Sequence, residues 1–447
     1  MDITRIIEVN IASFKGSKTQ QNAAGIFLLK LLSTALTFVA AILIARIVGS
    51  DGYGAYNFAI SWIAILSMVG LFGMNKLIVR EYARLETDNA TGLQRGLLRR
   101  ADLIVISLSI LVIGLIWSGA GQIKHLVVEE DSTLLINSLL VALPLIPILA
   151  LVRVRQAAME AKRQAFLGNL PELLVNPVMM VMLVAGGWFL FQDEFSAYWA
   201  IAAKVSAGVV TLMIVSIIRR AYLPESVKQA KPQYETRKWL SSATPLMLIS
   251  GLYIVNANTD VIMVGFLGGA DATGFYSAAS KGALLMTFVM LSVNKTLSPN
   301  FASLYKEGNI QKLQSVVTHS VRAVTLVSVL LMIGLVALGH WYLMIFGAEF
   351  TVAHLTLAIL CFAKVFSGLM GPVGHLLIMT SHENIAAWNV GLAVIINIVL
   401  NYVLIPVWGI EGAAVSSLIS FIVVNLLQAR AVYKFTGLNP TIFHWDK

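Results

Sequence analysis

The chain has 447 residues, of which 58% are hydrophobic and 12% are charged, and its formal net charge is +9. Soluble domains carry about 25% charged residues, so this composition excludes a soluble globular protein and indicates an integral membrane protein. The single cysteine, Cys361, excludes an internal disulfide and a cysteine metal site.

Residues 1–23 precede the first apolar run and are mostly polar. We expect a cytoplasmic segment near the membrane surface and no cleavable signal peptide, because the compact apolar core of such a peptide is missing. Apolar runs near the roughly 20 residues that a transmembrane helix needs then recur along the chain. They predict twelve spans: 24–48, 55–74, 102–121, 133–153, 170–191, 197–218, 240–267, 273–298, 320–345, 352–378, 385–406 and 412–433. Pro144 and Pro147 interrupt the fourth.

Lysine and arginine are concentrated in one set of alternate loops and in both terminal segments, whereas the opposite loops hold only Lys124. Since short basic loops stay in the cytoplasm, we expect a multi-pass protein with both termini cytoplasmic. This pattern and the basic residues within the spans account for the net charge, so no nucleic-acid partner is predicted.

The chain contains an internal repeat. Gly49 to Ala59 reads GSDGYGAYNFA and Gly268 to Ala279 reads GGADATGFYSAA. With one gap, four positions of the first segment align with four of the second: Asp51, Gly54, Tyr56 and Ala59 with Asp271, Gly274, Tyr276 and Ala279. Parallel repeats predict a pseudo-two-fold axis along the membrane normal and a substrate site between the halves.

We therefore predict an all-α protein of two six-helix halves related by a pseudo-two-fold axis. The predicted limits are 1–23 for an N-terminal segment, 24–220 for the first half, 221–238 for a cytoplasmic linker, 239–435 for the second half and 436–447 for a cytoplasmic tail.

Three segments carry a family resemblance: LIARIVGSDGYGAYNFA from Leu43, NTDVIMVGFLGGADATGFYSAASK from Asn258 and WGIEGAAVSSLIS from Trp408. They resemble the polysaccharide flippases, the Wzx-type transporters of the multidrug/oligosaccharidyl-lipid/polysaccharide superfamily. The resemblance implies a MATE-like fold and transport rather than catalysis. It also implies that an undecaprenyl-diphosphate-linked glycan crosses the bacterial plasma membrane, with membrane lipids and other polysaccharide assembly proteins as further partners.

Basic side chains lie unusually deep in the predicted spans. They are Lys30, Arg46, Lys204, Lys281, Lys295 and Lys364, against one comparably deep acid, Asp260. A charge inside the bilayer is costly, so these residues should face a polar cavity that receives an anionic cargo. For Arg46 and Lys295, which lie toward span ends, the alternative is a side chain that reaches the membrane surface.

Helical spacing groups other polar residues with these cations. Lys30 shares a face with Ser33, Thr34 and Thr37, Lys364 with Ser367, Gly371 and His375, and Lys204 with Gly208 and Thr211. Lys281 and Lys295 lie fourteen residues apart on nearly one face, which could hold a diphosphate at successive depths. Asn389, Asn397 and Asn401 either line the same space or join helices.

Asp260 shares a face with Tyr253 and Asn256. It is the candidate coupling residue for a proton or sodium gradient, or else the structural partner of a buried lysine, and the two roles predict different pH dependence. The sequence contains neither a phosphate-binding loop for ATP nor a metal-binding motif, so no cofactor is predicted.

Two other functions are open at this point. An ion-coupled drug or cation antiporter of the same superfamily would be better served by several buried acids. A membrane glycan polymerase or ligase would need a sizeable outer loop, whereas the longest predicted outer segment is about Gln122 to Ser132.

Overall fold

The computed structural model describes residues 18–124, 132–307 and 309–442, and its regular structure there is helical. The first half of the chain forms α1 Lys18–Leu71, α2 Met74–Thr87, α3 Thr91–Lys124, α4 Ser132–Ala142, α5 Leu145–Ala161, α6 Ala165–Leu170, α7 Asn176–Phe191 and α8 Ala197–Tyr222. A π-helical turn, Pro171–Val175, joins α6 to α7.

The second half begins after a short helix, α9 Glu225–Gln229. It forms α10 Thr236–Lys306, α11 Ile310–Ala337, α12 Gly339–Met344, α13 His354–Met370, α14 Val373–Met379 and α15 Glu383–Thr436. The domain limits given above stay predictions, and the N-terminal segment up to residue 17 lies outside the described residues.

Three helices are too long for one crossing. α1 has 54 residues and would be about 80 Å long if straight, against a hydrocarbon core of about 30 Å. Each of these helices contains a glycine with non-helical backbone angles: Gly49 in α1, Gly269 in α10 and Gly409 in α15. Each break falls between two predicted spans, and it divides the helix into a first and a second leg.

Eight helices among the described residues are long and apolar enough to cross a membrane, and one bent pair could add a ninth. Because three of the eight contain a glycine break, the architecture is consistent with the twelve predicted spans. The bent pair is α4 with α5, which meet at Pro144 with a bend of 40°. The predicted proline break in the fourth span is therefore confirmed at Pro144, while Pro147 lies inside α5.

The ends of several helices differ from the ends of the predicted spans. α3 begins at Thr91, eleven residues before the predicted start, and α11 covers Ile310–Ala337 rather than 320–345. Hydropathy marks where the chain enters the hydrocarbon core, but a helix continues beyond that point as long as its residues favour it. Asn309 then fixes the start of α11, because its side chain accepts a hydrogen bond from the backbone N–H of Lys312.

The repeat predicted from the sequence has a counterpart in the backbone. Gly49 has φ 74° and ψ −176°, and Gly269, 220 positions later, has φ 85° and ψ −171°. These angles are accessible mainly to glycine. The two halves thus use the same residue and the same backbone conformation to join their first two spans.

The halves also contact each other symmetrically near these breaks. A Cβ atom at Gly54 would lie 1.8 Å from the carbonyl oxygen of Ala270, and one at Gly274 would lie 2.2 Å from that of Ser50. Ser50 and Ala270 are 220 positions apart, as are the two glycines. Reciprocal contacts of this kind are the signature of a two-fold interface. One side departs from the symmetry, because Ser50 also donates a hydrogen bond to Asp271.

Gly54→Ala should destabilise the protein, because the added methyl group has no room at this crossing. Overpacking typically costs about 1–3 kcal/mol, and a contact with backbone is hard to relieve. Gly114→Ala in α3 is the matched control, since none of the residues that the structure describes lies within 4 Å of its Cβ position. Thermal unfolding of the purified protein in detergent measures the difference, and equal melting temperatures for the two variants would contradict the close crossing.

Candidate transport cavity

A partly buried carboxylate lies where four helical legs meet. Asp260, in the first leg of α10, accepts hydrogen bonds at Oδ1 from the amide groups of Asn397 (2.9 Å) and Asn401 (2.8 Å), in the first leg of α15. Its Oδ2 accepts one from the hydroxyl of Tyr276 (2.8 Å), in the second leg of α10. Ser417, in the second leg of α15, donates to the same oxygen. Both carboxylate oxygens therefore have two donors each.

These bonds change the predicted partner of Asp260. Charge-assisted hydrogen bonds replace much of the hydration that a buried carboxylate loses. Among the described residues, Asp260 forms no ion pair within 4.0 Å; Lys364 is close enough to be attracted by its charge. The predicted pairing with a buried lysine is thus replaced by four neutral donors, with Lys364 nearby.

Asp260 and Lys364 line one cavity of about 320 Å³. Its other polar lining residues include Asn256, Tyr276, Asn397 and Ser417. The Lys364 ammonium lies 4.2 Å from the centroid of the Phe421 ring. A ring face stabilises a cation without neutralising it, so the positive charge stays available to an anion.

A second cavity of about 340 Å³ adjoins the first. The two share Asn256, Phe421 and Val424 as lining residues, and Tyr253 lines the second. The residues of the predicted face, Tyr253, Asn256 and Asp260, therefore all line these two adjoining cavities. Ser367, Gly371 and His375 also line the second cavity, as their predicted stripe with Lys364 requires.

Lys204 and Lys281 form a second group of cations. The Lys204 ammonium, on α8, donates to Asn176 Oδ1 at 2.9 Å, and the Asn176 amide donates to Thr211 at 3.2 Å. Lys281, on the second leg of α10, is close enough to Lys204 for their charges to repel. Since α8 belongs to the first half and α10 to the second, these lysines bring positive charge together from both halves.

The other predicted cations are not part of these groups. Lys30 is exposed on the first leg of α1 and lines neither cavity. Lys295 lies in the second leg of α10, but its side chain is outside the part of the chain that the structure describes. The prediction that Lys30 and Lys295 belong with the other deep cations therefore rests on their positions in the sequence alone.

Arg46 joins the two halves. It donates from Nε to the carbonyl oxygen of Ile345 at 2.7 Å and from Nη2 to that of Met344 at 3.0 Å. Both carbonyls lie at the end of α12, where free acceptors and the helix dipole favour a cation. Close by, the ring of Tyr53 lies 6.1 Å from that of Phe346 and 5.9 Å from that of Phe350. The ends of the halves that the loop charges predict to face outward are therefore packed together.

Comparison with known families decides the kinship of the chain. Residues 20–305, more than half of the sequence, match the family described as polysaccharide biosynthesis protein. The chain belongs to this family. Residues 245–403 also match the MatE family. The resemblance predicted from the three sequence segments is confirmed.

A curated relative of this family member is the probable low-salt glycan biosynthesis flippase Agl15 of Haloferax volcanii, 25% identical over 279 residues. The match covers 62% of this chain and 57% of the relative, so it spans little more than half of that protein.

Two solved structures share the fold. One is a multidrug resistance MATE family transporter of the MOP superfamily in an inward-facing conformation. Its TM-score is 0.76 at 12% identity, and the match covers 90% of this chain and 96% of the transporter chain. The other is the lipid II flippase MurJ in an inward closed conformation. Its TM-score is 0.73 at 15% identity, and the match covers 92% of this chain and 87% of the MurJ chain. The predicted MATE-like fold is confirmed.

Sequence reasoning missed three members of the Asp260 site. In the sequence, Tyr276 stands out only as a position of the repeat, and Ser417 only as part of the segment that begins at Trp408. No sequence pattern pointed to Phe421. For Asn397 and Asn401, the spacing of four residues on one helix face was the available signal. Both donate hydrogen bonds to Asp260 and so join α15 to α10, and Asn397 also lines the cavity.

Arg46→Ala should weaken the closure between the halves, because two hydrogen bonds between them are lost. A cysteine introduced at the fully buried Thr273 reports opening, and the native Cys361 is itself buried and gives little background. We expect faster labelling by a membrane-impermeant maleimide in Arg46→Ala. Arg237→Ala, an exposed arginine at the start of α10, is the control, and equal labelling of both variants would argue against a gating role for Arg46.

Proposed function

We propose that this protein is a flippase that moves an undecaprenyl-diphosphate-linked oligosaccharide between the leaflets of a bacterial plasma membrane. The observation that carries the proposal is the charge balance of the interior. Lys204, Lys281 and Lys364 supply three ammonium groups. Of the acids near them, Asp260 is already bonded to four neutral donors, and Glu172, near Lys204, is paired with Arg153. Family membership and the name of the Haloferax relative support the same cargo class.

The ammonium groups would bind the diphosphate. They act as point charges and tolerate the change in geometry as a phosphate passes from one to the next. Lys204 and Lys281 come from different halves, so a diphosphate between them relieves their repulsion and draws the halves together. Rocking of the halves about this site would expose it alternately to each side. No bond is made or broken, so the proposed activity is transport and not catalysis.

Asp260 is proposed as the coupling site. Asn401 Oδ1 is a buried acceptor without a hydrogen-bond partner in the described part of the chain, and it lies beside the Asp260 network. Rotation of the Asn397 and Asn401 amides would present further oxygens to a cation. One carboxylate surrounded by neutral oxygens suits a single positive charge, either a proton or a sodium ion.

The loop charges place both termini on the cytoplasmic side in this proposal. Cargo would enter from the cytoplasmic leaflet, because the contacts of Arg46 keep the outer end of the protein closed. Other polysaccharide assembly proteins would supply the cargo and receive it.

The direct test is leaflet transfer in liposomes that contain the purified protein. A polyprenyl-diphosphate oligosaccharide should move between leaflets, whereas a neutral polyprenyl glycoside of the same length should not. Transfer of both lipids, or of neither, would contradict a cavity that selects for the diphosphate. Efflux of small organic cations without lipid transfer would instead identify a cation antiporter.

A further inference from the structure

A basic pocket lies away from the transport cavity, at the end of the molecule that the loop charges predict to be cytoplasmic. It has a volume of about 410 Å³ and lies between the start of α3 and the end of α8. Its charged lining residues are Arg95, Arg99, Asp102, Arg219, Arg220 and Lys228. None of these residues lines either cavity near Asp260.

The pocket holds a surplus of positive charge. Its one acidic lining residue, Asp102, is paired with Arg219 at 3.0 Å and faced by Arg155 at 4.0 Å. Lys228 is paired with Glu225 at 2.7 Å. After these pairs, the lining still contains cations that form no ion pair with any acid in the described part of the chain.

Two of these cations have no partner in the described part of the chain. Arg99 and Arg220 are exposed, and within the described residues neither forms a hydrogen bond or an ion pair. In addition, Nη1 of Arg219 is a buried donor without an acceptor in the same part of the chain. Buried polar atoms are rarely left unpaired. Oδ1 of Asp102, in the same ion pair, also lacks a hydrogen-bond partner there, so the pair leaves one donor and one acceptor open to a polar ligand.

Apolar stripes continue from both arginines into the membrane. On α3, Leu103, Ile106 and Ile110 follow Arg99 at helical offsets of four, seven and eleven, and their side chains are 56%, 42% and 63% exposed. On α8, Ile217 and Met213 precede Arg220 by three and seven residues and are 69% and 59% exposed. Each arginine therefore stands above an apolar face of the same helix, about 16 Å long on α3.

We propose that this pocket binds an anionic phospholipid, with the phosphate among the arginines and the acyl chains along the two apolar stripes. A free phosphate ion would use the same cations but would leave the stripes without a role. Basic pockets between helices at the cytoplasmic surface suit acidic headgroups. The lipid would join α3 to α8 at a place where Asp102 and Arg219 form the direct link.

The test uses the full-length protein purified in a neutral detergent. Its melting temperature is measured during titration with phosphatidylglycerol, phosphatidylcholine and inorganic phosphate. Phosphatidylglycerol should stabilise the wild-type protein at the lowest concentration. The double variant Arg99→Gln/Arg220→Gln should bind it about thirtyfold more weakly.

The matched control is Arg430→Gln/Lys434→Gln, which removes two exposed charges from the end of α15. It should keep the wild-type response. The proposal is overturned if phosphatidylcholine stabilises the wild type equally, if inorganic phosphate does so at the same concentration, or if the control variant loses the response to the same extent.

The assay measures binding without transport, so its outcome is separate from that of the flippase proposal. In liposomes of neutral lipid, Arg99→Gln/Arg220→Gln should transfer cargo at the wild-type rate. Loss of transfer there would assign the pocket to the cargo route and overturn a separate lipid site.

Discussion

Asp260→Asn should abolish the dependence of transport on a proton or sodium gradient while the protein still reaches the membrane. The substitution keeps the shape of the side chain but removes its charge. It also places an NH₂ group opposite two of the four donors that now bond to the carboxylate. Each hydrogen bond to a charged group contributes about 1.5–3 kcal/mol, so the melting temperature should fall as well.

The measurement compares transfer rates in liposomes with and without an imposed gradient of each ion. For the wild type, the rate with the gradient divided by the rate without it should exceed unity for either protons or sodium ions. For Asp260→Asn this ratio should equal unity for both ions. Asp51→Asn is the control, because Asp51 is an exposed acid and undergoes the same chemical change. An unaltered gradient dependence together with a lowered melting temperature would make Asp260 a structural residue only.

Replacing Lys281 or Lys364 with Gln should give the second large effect, a loss of transport with normal insertion into the membrane. Gln preserves most of the side-chain volume but removes the ammonium group that would bind the diphosphate. The lost charge-assisted contact corresponds to a fall in the transfer rate of roughly tenfold to a hundredfold. The decrease should appear with the diphosphate-linked lipid at low concentration.

Lys312→Gln is the matched control, since Lys312 is exposed near the start of α11, outside both cavities. Normal transfer by both the Lys281 and the Lys364 variants would refute the cationic site. Lys30→Gln adds a comparison, because the sequence groups Lys30 with the other cations while the structure leaves its side chain exposed and that of Lys281 half-buried. Wild-type transfer by this variant would agree with the structure, whereas a loss as large as that of Lys281→Gln would support the sequence-based grouping.

Much of the architecture was predictable because it rests on local properties of the chain. Runs of apolar residues predict membrane spans wherever they occur, and the repeated glycine-rich turn gave the relation between Gly49 and Gly269. The break at Pro144 followed from the missing backbone donor of proline. The ends of α3 and α11 were not predictable from hydropathy, since helices extend beyond the membrane core.

The sequence predicts the kind of side chains at the candidate site, but only some of the residues that meet there. Deep lysines are visible in any span, so the sequence identifies Lys204, Lys281 and Lys364 as candidates. Which of them meet depends on how α8, α10 and α13 pack, and that packing is set by contacts between residues far apart in the chain. Ser417, for example, lies 157 positions from Asp260.

The sequence by itself determined that this is a helical membrane protein, and it predicts two related halves with a cationic interior. Hydrophobicity, loop charge and internal similarity are properties of the chain and survive in any fold that it adopts. Only the tertiary structure decided that Asp260 bonds to Asn397, Asn401, Tyr276 and Ser417 rather than to a lysine. It also set Lys30 apart from the cavities, because the packing of the helices determines which polar face is enclosed.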